Sequence, residues 1–111
     1  MTHMYGTFTD NQIAQIKTKI RKSIFFILLC CDPKTSEKHK NINVENAFLN
    51  LLYWIGGMNS LLYYPDEIVK ILSLLQRAYE EYLSPNYSFR VCRKLLLDAG
   101  SEVLNIKEED I

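Results

Sequence analysis

Ile13, Ile16, Ile20, Ile24, Ile27 and Cys31 recur at spacings of three and four residues. A strand would scatter these side chains over both faces of a sheet, whereas a helix of 3.6 residues per turn gathers them on one. The start of this helix is marked by Thr9 and Gln12, which fit a capping box, and by Phe8 and Ile13, which fit the accompanying hydrophobic staple. Its end is set by Asp32-Pro33, because a residue before proline is pushed out of helical geometry. From Phe25 to Leu29 the apolar character spreads around the whole circumference. That end of the helix is expected to lie deeper in the protein or to meet a partner.

Three further segments show the same period. Polar, lysine-rich residues 32–42 read as an exposed loop. A second helix then starts at Asn43, a good cap, and carries Val44, Ala47, Phe48, Leu51, Leu52 and Ile55 on its buried side. Gly56-Gly57 is expected to end it, leaving residues 58–64 as a connector. Pro65, Asp66 and Glu67 suit the first turn of a third helix, with Ile68, Ile71, Leu72, Leu75, Ala78, Tyr79 and Tyr82 on its inner face. A fourth helix starts at Ser88 and keeps its period through Cys92, Leu95, Leu96, Ala99, Val103 and Ile106. It reads as one helix to about Lys107, weakened at Gly100, the alternative being a stop at Gly100 and a short last turn. No segment alternates like a strand. Ile20, Ile24, Leu51, Leu72, Leu75 and Leu96 are expected to be nearly buried. The fold class predicted is all-α, a small antiparallel bundle of about four helices, with residues 1–111 forming one domain.

The 13 basic and 13 acidic residues cancel, which argues against a dedicated nucleic-acid binder. They are unevenly placed, with a balance of +4 over residues 1–40, −3 over 41–85 and −1 over 86–111. Solvated helix faces are the simplest reading of that pattern; self-association or a charged protein partner is the functional one. Cys30, Cys31 and Cys92 are odd in number and set in apolar surroundings, so they read as free core thiols of a cytoplasmic protein. Ala47 to Tyr64 is uncharged over 18 residues but is interrupted by Asn50, Gly56, Gly57, Asn59 and Ser60, and no membrane span is expected.

Catalytic chemistry finds no pattern to rest on. His3 and His39 lack cysteine or carboxylate partners at zinc-site spacing, and Lys38 and Lys40 flank His39. Neither metal nor cofactor is expected. The pairs Asp66-Glu67 and Glu80-Glu81 are adjacent on helices and so do not face one another. The chain is therefore read as non-enzymatic.

Aromatic residues are the stronger lead. Tyr53, Trp54, Leu61, Leu62, Tyr63 and Tyr64 crowd the end of the second helix and its connector. Tyrosine and tryptophan are favoured at interfaces, where one end of the ring is dry and the other wet. A small core under the bundle end would account for the cluster equally well. The function expected is binding of a protein partner by a small helical adaptor, inhibitor or immunity-type protein, with a second copy of the chain as one candidate partner. The second-ranked expectation is a nucleic-acid-associated protein using Lys17 and Arg21 on the first helix and Arg90, Arg93 and Lys94 on the fourth, the third and fourth helices loosely imitating a helix-turn-helix.

Overall fold

The computed structural model describes residues 10–61 and 66–106. The described residues form four α-helices: α1 (Asp10–Cys31), α2 (Val44–Leu61), α3 (Asp66–Leu83) and α4 (Phe89–Val103). Thr9 and Phe8, expected to cap α1, lie outside the described residues, as do Leu62, Tyr63, Tyr64 and Pro65. The helices form a ring in which α2 packs on α3, α3 on α4 and α4 on α1. The side between α1 and α2 closes it with the sparsest packing of the four. The arrangement is the small all-α bundle expected from the periodicity.

Antiparallel pairing of α1 with α4 follows from three ties. The Lys17 ammonium donates to the Ile106 carbonyl at 3.0 Å. About two turns further along α1, Phe25 reaches Gly100, where an added Cβ would stand 3.8 Å from its ring. At the far end, the Cys31 thiol lies beside Cys92. The core is a single cluster in which Ile20, Ile24, Phe48, Ile55, Ile68, Ile71, Leu75 and Leu96 are fully enclosed. Leu72, expected in this set, is only half-buried and packs at its margin.

Local chemistry explains most of the helix ends. The Asn43 side-chain oxygen accepts the Asn46 N–H at 3.0 Å, satisfying one of the donors that the start of α2 leaves open. The Thr35 hydroxyl donates to the Leu29 carbonyl at 2.6 Å and so covers an acceptor in the last turn of α1. Residues 32–42 are not wholly irregular, since Ser36–His39 forms one 3₁₀ turn. Between α3 and α4, the Glu81 carboxylate accepts the Ser88 N–H at 2.9 Å and clamps the turn.

Two boundaries differ from the sequence expectation. α2 does not stop at Gly56-Gly57 but continues to Leu61. Fully buried Ile55 and half-buried Met58 anchor the backbone on either side of the glycines, and this packing outweighs their weak helix propensity. α4 runs through Gly100 yet ends at Val103, not near Lys107. The following N–H groups of Leu104, Asn105 and Ile106 bond back to Ser101, Glu102 and Val103, a tightened i to i−3 turn that closes the helix.

A Cβ at Gly56 or Gly57 would meet nothing within 4 Å. Replacing both by alanine should therefore raise stability, by about 1 kcal/mol for each glycine removed from a helix interior. The urea midpoint should rise with an unchanged slope. A fall would show that α2 needs a backbone freedom here that alanine lacks.

Candidate functional site

The loose side of the ring opens as a groove of about 500 Å³ between α1 and α2. Its α1 wall is Lys19, Lys22, Ser23, Phe26 and Ile27, and its α2 wall is Ala47, Asn50, Leu51 and Trp54. Both walls follow from helical phase. With Ile20 and Ile24 pointing inward, Ser23, Lys19 and Phe26 are rotated progressively toward α2, and Lys22 comes next on the outer surface. On α2, Phe48 and Ile55 point inward, so Trp54, one position before Ile55, turns about 100° to one side.

The Lys19 ammonium stands 4.5 Å from the centroid of the Trp54 ring, a cation–π contact bridging the two walls. Phe26 carries the apolar surface out of the groove and meets His39 edge-on at 5.6 Å. Beyond it, Phe25, Phe26 and Leu29 are 37, 39 and 44% exposed. The circumferential apolar run at the end of α1 is therefore not buried more deeply than the rest of the helix. It forms a surface patch continuous with the groove.

The residues expected to form the site are divided by the fold. Trp54 lines the groove, but Tyr53 does not, standing 75% exposed on the outer surface of α2. Leu61 is the last residue of α2, and Leu62, Tyr63 and Tyr64 fall outside the described residues. The basic set is divided too. Lys17 is held by the Ile106 carbonyl. Arg21 lies with its guanidinium carbon 5.5 Å from the Phe25 centroid, and its Nε is buried without a hydrogen-bond partner among the described residues. Arg90, Arg93 and Lys94 are exposed at the other end of the α1–α4 pair, near Cys92 and Cys31. Arg21 and Cys31 are ten residues apart on α1, roughly 15 Å of helix, so the two basic groups do not merge into one stripe. Lys94 also pairs with Asp98 at 3.1 Å.

Lys19, Lys22, Phe26 and Leu29 are the groove and patch residues that the aromatic cluster does not include. The uninterrupted apolar run from Phe25 to Leu29 is the signal that points to Phe26 and Leu29, whereas nothing in the sequence singles out Lys19 and Lys22 among the neighbouring basic residues. Away from the groove, Cys30, Cys31 and Cys92 are buried free thiols. A polar cluster is formed by the Tyr87 hydroxyl and the Cys31 and Cys92 thiols, with the Cys92 thiol donating to the Ala78 carbonyl at 3.7 Å. It ties α1, α3, α4 and the intervening turn together. The contact with Cys92, followed by burial, pushes the Cys31 thiol far up from its ordinary value.

Among the described residues, no three His, Cys, Asp or Glu side chains gather to hold a metal ion. No described helix is long and apolar enough to cross a membrane. Comparison with protein-family models, curated proteins and solved structures finds no match to this chain.

Proposed function

We propose that this chain is a non-catalytic protein-binding protein, a small helical adaptor, inhibitor or immunity-type protein that acts by occupying a partner's surface. The observation that carries the reading is the exposure of Phe26, which lines the α1–α2 groove, together with that of Leu29 and Phe25 on the outer surface of the same helix. The opposite face of the same helix is enclosed along its whole length, from Ile13 to Cys31. An apolar patch joined to a groove and rimmed by charge is the usual form of a protein contact. The polar groups in the groove are two amines, a hydroxyl and an amide, a set suited to orienting a bound chain. Buried free thiols support placing the protein in the cytoplasm.

The test is capture from the native host with tagged wild type and with a Phe26→Ser, Leu29→Ser variant. Both side chains are partly in solvent, so the variant should keep its helical circular dichroism. A stoichiometric protein held by the wild type and lost by the variant supports the reading, with a second copy of the chain counted as one such partner. Absence of any stoichiometric partner, or equal capture by both forms, overturns it.

A further inference from the structure

The α1–α2 groove does not end at Lys19. A shallower trough lined by Asn11, Ala14, Gln15 and Thr18 continues from it along α1, sharing Lys19, Lys22 and Ser23. From Asn11 to Phe26 the two together follow 15 residue steps of α1, roughly 22 Å, the length of about four helical turns. Such a trough is far longer than a compact small molecule needs.

Its chemistry is one-sided. Among the described lining residues there are two lysines and no aspartate or glutamate. The deeper half has an apolar floor of Phe26, Ile27, Leu51 and Trp54. A helix with one apolar face and acidic flanks matches both properties, because laying an amphipathic helix into an apolar groove is a general mode of recognition. We propose that the groove takes an acidic amphipathic helix of a partner protein, its apolar face on Phe26, Leu51 and Trp54 and its carboxylates on Lys19 and Lys22. This inference rests on the protein-binding reading and specifies the chemistry of the partner.

A second copy of the chain fits less well. The exposed face of α3 mixes Asp66 and Glu80 with Lys70 and Arg77, and that of α4 is dominated by Arg90, Arg93 and Lys94. No described helix of this chain presents an apolar stripe with acidic flanks. The groove has an occupant-sized opening because α1–α2 is the sparsely packed side of the ring, and a docked helix would complete there the contact that the other three sides already have.

Trp54 is the only tryptophan, so its fluorescence reports on the groove directly. The probes are two synthetic peptides of about five helical turns, free of tryptophan, with leucine along one face and either glutamate or lysine on the other. The glutamate peptide should give a saturable change in Trp54 emission, because pairing of Lys19 with a carboxylate alters its contact with the ring. Binding should weaken as salt screens the two lysines. Lys19→Glu with Lys22→Glu should weaken the glutamate peptide by tenfold or more, roughly the loss expected for reversing two facing charges. The same variant should gain affinity for the lysine peptide. Both lysines are exposed, and unchanged circular dichroism would confirm the fold.

Equal binding of the two peptides, or no effect of the charge reversal, overturns the inference. So does a Trp54 response to anionic phospholipid vesicles with none to the glutamate peptide, which would make the groove a lipid-facing surface. Self-association that disappears on charge reversal would assign the groove to a second copy instead. Capture separates the two levels of the reading. A native partner retained equally by wild type and the charge-reversed variant defeats the acidic-helix assignment and leaves protein binding standing. No partner for either form defeats protein binding itself.

Discussion

Phe48→Ala is expected to be the most damaging single truncation in the protein, costing about 3–5 kcal/mol. The ring is fully buried and lies 5.4 Å from Tyr79 and 5.9 Å from Tyr82, centroid to centroid. It therefore joins α2 to α3 by aromatic contacts in addition to simple burial. A domain of this size has a total stability on the order of 5–15 kcal/mol, so one substitution should remove a large part of it. Thermal unfolding should begin at least about 10 °C lower. Leu72→Ala, at the half-buried margin of the core, serves as the comparison and should cost far less. If the two losses are equal, Phe48 does not occupy the enclosed position described for it.

The second large effect is a loss of stability in alkali. In the unfolded chain a cysteine titrates around its ordinary value of 9.0, whereas the Cys31 thiol in the folded protein is held protonated far above it by its contact with Cys92 and then by burial. Burial and the neighbouring Cys31 also push Cys30 up. Above about pH 9 the unfolded state thus binds fewer protons than the native state, and stability must fall as pH rises. The contribution is fully present below the ordinary thiol value and is lost on the way up to the folded one. Each proton retained on folding corresponds to about 1.4 kcal/mol per pH unit, and Cys92, whose thiol the contact with Cys31 pulls down, offsets part of the loss. Urea midpoints measured across this range should drop steeply in the wild type and less steeply in Cys31→Ser, which cannot ionise there. A flat profile in the wild type would mean that the thiols are open to ionisation in the native state.

The helices themselves could be read from residue spacing, because burial on one face imposes a 3.6 period on α1, α3 and α4 that chance does not produce. The position of Gly56-Gly57 misleads for a definite reason. Two glycines in series are a strong local stop, but Ile55 and Met58 pack against other helices, and that energy has no local signature. Leu72 shows the same limit from the other side: it fits the apolar stripe of α3, but the width of the covered stripe depends on how closely α2 and α4 approach.

Only part of the candidate site was accessible in the same way. Trp54 stands out by residue type. Lys19 and Lys22 do not, since four basic residues follow one another at short intervals from Lys17 to Lys22 and charge alone does not say which side of the helix meets α2. Lys17 and Arg21 turn toward α4, where one is tied to a backbone carbonyl and the other lies by an aromatic ring. The two remaining lysines turn toward the groove. The distinction depends on which neighbour stands on which side of α1, a property of the assembled ring.

The pairing of α1 with α4 also bears on how the chain is made. The Lys17–Ile106 tie joins residues 89 positions apart, and α4 is synthesised after the other three described helices. At ribosomal rates of roughly 5–20 residues per second, the isoleucine face of α1 waits several seconds for the helix that covers it, with only the sparse packing of α2 in the meantime. A nascent or prematurely terminated chain ending before Phe89 carries that face uncovered, and is the form in which this protein is most exposed to aggregation and to capture by chaperones.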